Sequence, residues 1–322
     1  AMIGAVAIGR NEGGRLVACL ASALRDADRV VYVDSGSTDG SAARAREMGV
    51  AVVELDLSIP FTAARARNAG VRALLAAEPG VEFVQFVDGD CELREGWVAA
   101  AATFLRETPS AAVACGRRRE RFPEASLWNR LCDLEWDTPV GEARYCGGDS
   151  LMRVAALREA GGWRDGLIAG EEPELCVRLR RAGWTVWRLD REMTWHDAAM
   201  TRFGQWWRRS VRAGHAYAEG AALHGAGPER HWVRETLRAL AWGAALPAAA
   251  GLGALVWSPW ALALLLAWPL QVLRLGLRGG PGGWTGAVLS VVGKVAEARG
   301  VLRCALGRLR GRGPRIIEYK AA

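Results

Sequence analysis

Two carboxylates, Asp88 and Asp90, stand one residue apart directly after the apolar run Val84-Gln85-Phe86-Val87. Alternate residues of an extended segment point the same way. Both acids therefore face one point just past a strand's carboxyl end, where open α/β sheets place their ligands. Oxygen donors in this arrangement suit Mg²⁺ or Mn²⁺, and Mg²⁺ usually takes one or two carboxylates together with substrate phosphates. Gly89, between the acids, lets a bulky diphosphate approach the backbone. An Asp-x-Asp by itself also fits a solvated turn, so the surrounding elements must decide.

Those elements alternate. Residues 3–9 form a short apolar run, followed by Arg10-Asn11-Glu12 and a helical pattern with Leu16, Leu20 and Leu24 near one face. Val30 to Val33 is a second strand ending in a polar loop, 34–40, rich in helix-capping residues. A helix over 41–48, a strand over 50–55, a helix over 62–77 and the strand 81–87 follow. Strands alternating with helices predict an α/β fold with a mostly parallel sheet. Residues 116–145 are charged and aromatic with mixed period and read as an excursion covering the site. A second α/β stretch runs from about 146 to 197, and 201–222 reads as a helix with Phe203, Trp206, Trp207 and Val211 on its apolar side.

Charge and hydrophobicity are uneven along the 322 residues. From Arg274 onward there are ten Lys/Arg against two Asp/Glu, which leaves 32 against 33 for the rest, so the net +7 lies in the C-terminal part. Residues 236–273 are nearly all apolar. A basic tail beside an apolar segment points to an anionic membrane leaflet, and no aromatic-plus-basic motif points to nucleic acid. Leu237 to Val256 carries one charge, Arg238, and twenty helical residues span about 30 Å, one hydrocarbon core. Pro259 to Leu273 is uncharged. With Arg238, Arg274 and Arg278 flanking it, 236–275 is expected to be a hairpin with both ends cytoplasmic, either spanning or dipping into one leaflet; a buried helical pair is the soluble alternative. Val288, Val291, Val292, Val295, Leu302, Leu306 and Leu309 recur at helical spacing opposite Lys294, Arg299, Arg303 and Arg310, which predicts an amphipathic helix on the bilayer surface within 284–322. Seven Cys without a C-x-x-C pair read as reduced, cytosolic thiols.

Five segments, taken in order over 3–197, resemble the family 2 glycosyltransferases, with the GT-A nucleotide-sugar fold. They are the strand before Arg10-Asn11-Glu12; Val33-Asp34-Ser35-Gly36-Ser37-Thr38-Asp39; Ala66-Arg67-Asn68-Ala69-Gly70; Phe86-Val87-Asp88-Gly89-Asp90; and Gly147-Gly148-Asp149 leading through Gly161-Gly162-Trp163 to Gly170-Glu171-Glu172-Pro173-Glu174-Leu175. The resemblance implies a GT-A domain over 1–200; after it, Trp at headgroup level and Arg toward lipid phosphates read as interfacial helices over 201–235. The resemblance places Asn11, Glu12, Asp34, Ser35, Arg67 and Asp88 around the nucleotide, although many members carry a second Asp where Ser35 stands. Arg67 can fork onto phosphate oxygens. Asp90 is expected to coordinate the Mg²⁺ or Mn²⁺ directly, Asp88 to hold ribose or a water, and His196 to be a third ligand. The family's catalytic base falls on Glu172, where Asp is usual; whether Glu172 or Glu171 points into the site stays open. A carboxylate there takes the acceptor hydroxyl's proton in a single inverting displacement. Gly148 and Asp149 are assigned to the acceptor side. Gln205 and Arg208 match part of the Gln-x-x-Arg-Trp motif of processive members, but Arg209 replaces the Trp, which implies transfer of a single sugar; Arg208 or Arg209 can still touch the diphosphate.

The function expected is transfer of one sugar from a UDP- or GDP-sugar to a hydroxyl of a lipid or lipid-linked glycan, by an enzyme on the cytoplasmic face of the inner membrane. Two alternatives stand beside it. A non-catalytic, degenerate relative acting as a membrane scaffold would keep its function after Asp90→Ala. A sugar nucleotidyltransferase would release pyrophosphate, but residues 3–14 lack its glycine-rich loop.

Overall fold

A computed structural model of the chain describes residues 2–311 and 316–318. In order the elements are β1 (Met2–Gly9), α1 (Gly14–Asp26), β2 (Arg29–Asp34), α2 (Ser41–Glu47), β3 (Ala51–Glu54), α3 (Ala63–Ala77), β4 (Val81–Asp88), β5 (Cys91–Leu93), α4 (Trp97–Glu107), β6 (Ala111–Glu120), α5 (Leu127–Glu135), β7 (Gly141–Glu142), β8 (Ser150–Arg153), α6 (Val154–Glu159), α7 (Glu171–Arg181), β9 (Thr185–His196), α8 (Phe203–His224), α9 (Val233–Leu240), α10 (Leu246–Val256), α11 (Ala267–Arg278) and α12 (Gly283–Leu309). They divide into two compact units: Ala1–Pro123, Trp136–Leu167 and Glu171–Ala198 form the first, and Glu124–Glu135, Ile168–Gly170 and Ala199–Ala322 the second.

The first unit is built on one sheet, ordered β3-β2-β1-β4-β8-β6-β9-β5, with β7 on β9. The strands β3, β2, β1 and β4 are mutually parallel. β8 then runs antiparallel between β4 and β6, and β9 pairs parallel with β6. The α/β expectation therefore holds. Ala5, Val6 and Ala7 on β1 and Phe83, Val84 and Phe86 on β4 are buried on both faces, as helix-covered parallel strands must be. The chain steps from β1 out to β2 and β3, then returns through α3 to the other side of β1. This reversal leaves a crevice at the carboxyl ends of β1 and β4.

Two local readings change. On α1, Leu16, Cys19, Leu20 and Ala23 are buried, whereas Leu24 is exposed. Steps of four residues drift about 40° each around a 3.6-residue helix, so the second step, to Leu24, leaves the buried face. The expected excursion from 116 begins inside a strand: Arg117 to Glu120 complete β6, with Arg118 opposite Thr194 and Glu120 opposite His196. Charged residues persist in this strand because alternate positions reach different partners. Arg119 meets Glu192 at 2.8 Å, while Arg118 reaches Asp149 at 2.9 Å.

In the second unit α8 crosses α12 with backbone against backbone. A Cβ on Gly214 would lie 1.9 Å from the Glu297 carbonyl oxygen, and one on Gly300 would lie 2.0 Å from that of Val211. Helices approach this closely only through small residues. The face of α12 turned inward is Ala287, Val291, Ala296, Val301 and Cys304, while Val288, Val292, Leu302, Leu306 and Leu309 are exposed. The helix is thus partnered along one side, not laid alone on a surface. Residues Val233–Val256 and Pro259–Arg278 are each long and apolar enough to cross a membrane. Only 17% and 6% of their apolar windows are buried among the described residues, so this chain supplies little cover for either segment. Ser258 caps the turn between them by accepting the Trp260 N–H. A wide π-helical turn at Ala241–Ala245 precedes Pro247, whose missing N–H breaks the regular ladder.

Candidate active site

Register brings the site's acids together. Gly9 lies opposite Asp34 and Ile8 opposite Asp88, so β1, β2 and β4 end at one level. After the turn at Gly89, β5 runs antiparallel to β9 with Cys91 opposite His196. Asp90 and His196 are thereby neighbours: His196 Nε2 is 3.3 Å from Asp90 Oδ2, and both residues are buried. On the other side of the ring, Nδ1 is 3.7 Å from Glu120 Oε2, and Trp136 stands edge-on at 4.7 Å. Burial holds the imidazole below its ordinary range, against the pull of Glu120. Burial instead pushes the Cys91 thiol up, and that thiol sits 3.6 Å from Asp90 Oδ1.

Asp88 is held from three directions. Its carboxylate accepts from Arg67 at 2.8 Å, its backbone N–H donates to Asp149 Oδ1 at 2.9 Å, and Arg118 approaches Oδ2 at 3.7 Å. Arg67 also donates to Glu171 Oε1 at 2.9 Å and lies over the Trp163 ring. Burial works against the Arg67 charge, but Asp88 and Glu171 outweigh it and hold its pKa above the ordinary value. Arg67, expected on phosphate oxygens, is thus committed to two carboxylates of the chain.

Asp149, expected on the acceptor side, is wholly buried, so it lines no acceptor surface. Its second oxygen accepts from Thr194 Oγ1 and pairs with Arg118, both at 2.9 Å. The residue is a bracket joining β4, β6 and β9 beneath the site. Gly148 lies directly above: a Cβ there would come within 2.9 Å of both Arg67 and Asp88, so only Gly leaves that contact intact.

The two glutamates at the start of α7 part company. Glu171 faces Arg67. Glu172 is buried, and its Oε1 accepts the Cys146 N–H at 2.5 Å and the Cys176 thiol at 3.1 Å. No hydrogen bond within the described residues uses Glu172 Oε2. Asp34 is turned into its own loop, accepting from Tyr32 Oη, Gly36 N and Ser37 N at 2.7–3.0 Å. Three of a carboxylate's roughly four lone-pair positions are then in use. Ser35, beside it, is buried and donates its N–H to Gly9 O. Asn11, at φ 56°, ties the first loop to the second through Ser37 Oγ and the Thr38 N–H. Glu12 pairs with Arg15 at 2.9 Å. Gln205, Arg208 and Arg209 belong to α8 in the second unit. There Gln205 caps the helix start through the N–H groups of Thr201 and Arg202, and Arg209 pairs with Glu135 at 2.8 Å.

Sequence reasoning missed Arg118, Glu120 and Trp136. The alternation of Arg118 with Arg119 and Glu120 was the available signal, since it places 118 and 120 on one face of a strand.

Residues 7–157, from β1 into α6, match the family model described as glycosyl transferase family 2. The chain carries a family 2 glycosyltransferase domain. Among curated relatives, the chain is 25% identical over 176 residues to the succinoglycan biosynthesis protein ExoA of Rhizobium meliloti, covering 51% of this chain and 52% of that protein. It is 27% identical over 114 residues to glucomannan 4-beta-mannosyltransferase 2 of Arabidopsis thaliana, covering 32% and 21%. The chain thus spans about half the length of the first relative and about a fifth of the second. Among solved structures, the mannosyltransferase PcManGT from Pyrobaculum calidifontis, in complex with GDP-Man and Mn²⁺, superposes with a TM-score of 0.64 at 20% identity, over 93% of this chain and 86% of that one. Residues 1–349 of S. aureus TarS superpose at 0.54 with 15% identity, over 98% and 93%. The glycosyltransferase fold is the GT-A type that the sequence led us to expect.

Proposed function

We propose that this glycosyltransferase moves a single sugar, with inversion, from a nucleoside-diphosphate sugar to a hydroxyl of a lipid or lipid-linked glycan at the cytoplasmic face of a membrane. The observation that carries the reading is the Asp88-Gly89-Asp90 turn beside His196, in the crevice where the sheet reverses. The PcManGT complex holds GDP-Man and Mn²⁺, which favours a guanosine donor over uridine and supports a divalent ion. The donor set fits such an ion. Asp90 and His196 offer an oxygen and an imidazole nitrogen 3.3 Å apart, and Glu120 stands behind the far ring nitrogen, as a carboxylate does when it orients a metal-bound histidine. What the ion supplies when bound is neutralisation of the departing nucleoside diphosphate.

The rest of the chemistry is assigned to the chain's own residues. The two loops tied by Asn11, the second of them braced by Asp34, receive the nucleoside. Arg67 and Glu171 fix the direction of Asp88. Glu172, anchored through Oε1, receives the acceptor proton at Oε2 as the acceptor oxygen bonds to the anomeric carbon. The bond from that carbon to the phosphate oxygen breaks, and its electron pair leaves with the diphosphate. The exposed apolar hairpin supports an acceptor carried in a bilayer. Arg209, where processive members carry Trp, supports one transfer per binding event.

Thermal-shift measurements on detergent-purified protein with GDP, UDP, CDP and dTDP, each with and without Mn²⁺, test this reading. One nucleotide should stabilise the protein only with the metal, and Asp90→Ala should abolish that shift. The absence of any metal-dependent shift would instead favour a degenerate scaffold.

A further inference from the structure

The hairpin of the second unit has a charged foot. Arg234 and Arg238 stand one helical turn apart on α9, and Arg274 and Arg278 one turn apart on α11. All four line a single cavity of ≈ 310 Å³, with Trp242, Gln271 and Leu275 completing its wall. The two arms are tied at this level by the Trp268 indole N–H, which donates to the Trp242 carbonyl at 3.2 Å. Among the described residues no carboxylate lines the cavity. None of the four guanidiniums has an ion pair or hydrogen bond among the described residues. Like charges four residues apart on a helix already repel, and here two such pairs face one space. Glu297, which shares a larger cavity with Arg238, is itself paired with Lys294 at 2.6 Å.

Arg238 also acts on the Glu297 charge, but none of the four guanidiniums is in an ion pair among the described residues, and four of them around one space call for an anion with several oxygens. The surroundings say which kind. The cavity lies at the base of two arms whose far ends, Leu255, Val256, Trp257 and Trp260, are each 85% exposed. It also shares Arg238, Trp242, Gln271 and Leu275 with the larger cavity, of ≈ 570 Å³, walled in part by Trp206, Tyr217 and Leu289. An anion seated on the arginines would have apolar and aromatic surface on its flank. Basic pockets between membrane helices bind phosphorylated lipid headgroups in this way.

We infer that the foot of the hairpin is a binding site for the phosphate of an amphiphilic lipid, held by Arg234, Arg238, Arg274 and Arg278. The phosphate belongs either to a bilayer phospholipid or to an isoprenoid-type phosphate. The inference rests on reading the hairpin as membrane-embedded, so its test is run where that reading is not needed.

The full chain, purified in neutral detergent, is exposed separately to dioleoylphosphatidylglycerol, farnesyl phosphate and zwitterionic dioleoylphosphatidylcholine, and lipid retained is read by native mass spectrometry. The wild type should retain one or both anionic probes well above phosphatidylcholine. Arg238→Gln/Arg274→Gln should reduce that retention about 30-fold, at roughly 1 kcal/mol for each basic residue near a charged lipid. Arg303→Gln/Arg310→Gln removes the same charge elsewhere on the second unit and should leave retention intact. Lysine at 238 and 274, which keeps charge but loses the fork, should fall between. Preference for farnesyl phosphate assigns the site to an isoprenoid phosphate, and equal retention assigns it to bilayer lipid. Equal losses in both Gln pairs would reduce the effect to diffuse charge, and no loss in either would place the lipid elsewhere; both overturn the site. Failure of the protein to float with phosphatidylcholine vesicles would sink the membrane reading and leave this result standing.

Discussion

At Arg67 one guanidinium carries two carboxylates, Asp88 at 2.8 Å and Glu171 at 2.9 Å, in a position only 2% exposed. Removing one member of a buried pair strands the others. Arg67→Ala should therefore destabilise the first unit by about 3 kcal/mol, the low end for such pairs because Asp88 keeps some solvent contact; chemical denaturation followed by Trp fluorescence measures it. Glu172 makes the opposite forecast. Glu172→Gln preserves the side chain's size and its Oε1 acceptor, so metal-dependent nucleotide binding should persist, while turnover falls by a factor of order 10²–10⁴. Wild-type turnover in that variant would remove Glu172 as the base. The contrast separates a residue that holds the site from one that acts in it.

At the scale of elements, the crossing of α8 and α12 leaves no room for a side chain at either glycine. Gly214→Val should cost about 3 kcal/mol or more, since its Cβ would meet backbone, not a movable side chain; a lowered Tm of the detergent-solubilised chain is the readout. Next to Gly214 on α8, His215 stands 3.6 Å from Glu219 one turn on, too far for a hydrogen bond. Burial pushes Glu219 up to about 7 and His215 down to about 4, so both are held neutral. A raised acid stabilises fully below its unfolded pKa and loses that contribution as pH rises through the folded value; a lowered base does the reverse. Between about pH 4.5 and 6.5 the two slopes oppose each other. Above that window only Glu219 still titrates, so stability should fall from pH 6.5 to 8, and Glu219→Gln should flatten the fall in denaturation curves taken at each pH. Strands β1, β2 and β4 were legible because each is a mainly apolar run closed by polar loop residues. Arg118 and Glu120 were not, because their roles exist only through the pairing of β6 with β9, more than seventy residues apart in sequence. The direction of Glu172 was equally hidden, since it is set by the Cys146 N–H, 26 residues away.

For the molecule as a whole, the proposed attachment to a membrane would draw on two different features, the basic C-terminal sequence and the exposed apolar hairpin. The basic residues would attract anionic headgroups through a field that shrinks to about 3 Å in 1 M salt. The arms of the hairpin would act through apolar area, which salt does not weaken. The full chain should accordingly stay with neutral phosphatidylcholine vesicles on a flotation gradient in 1 M NaCl; release by salt would mean that only charge holds it. The glycine crossing of α8 and α12 has a bearing on this that reaches beyond stability. Its closest approach is peptide unit to peptide unit, and Val211 and Ala296 bury apolar surface beside it. The crossing is therefore fixed by shape as well as by expelled water. A larger residue at Gly214 or Gly300 would be refused whatever medium surrounds the second unit.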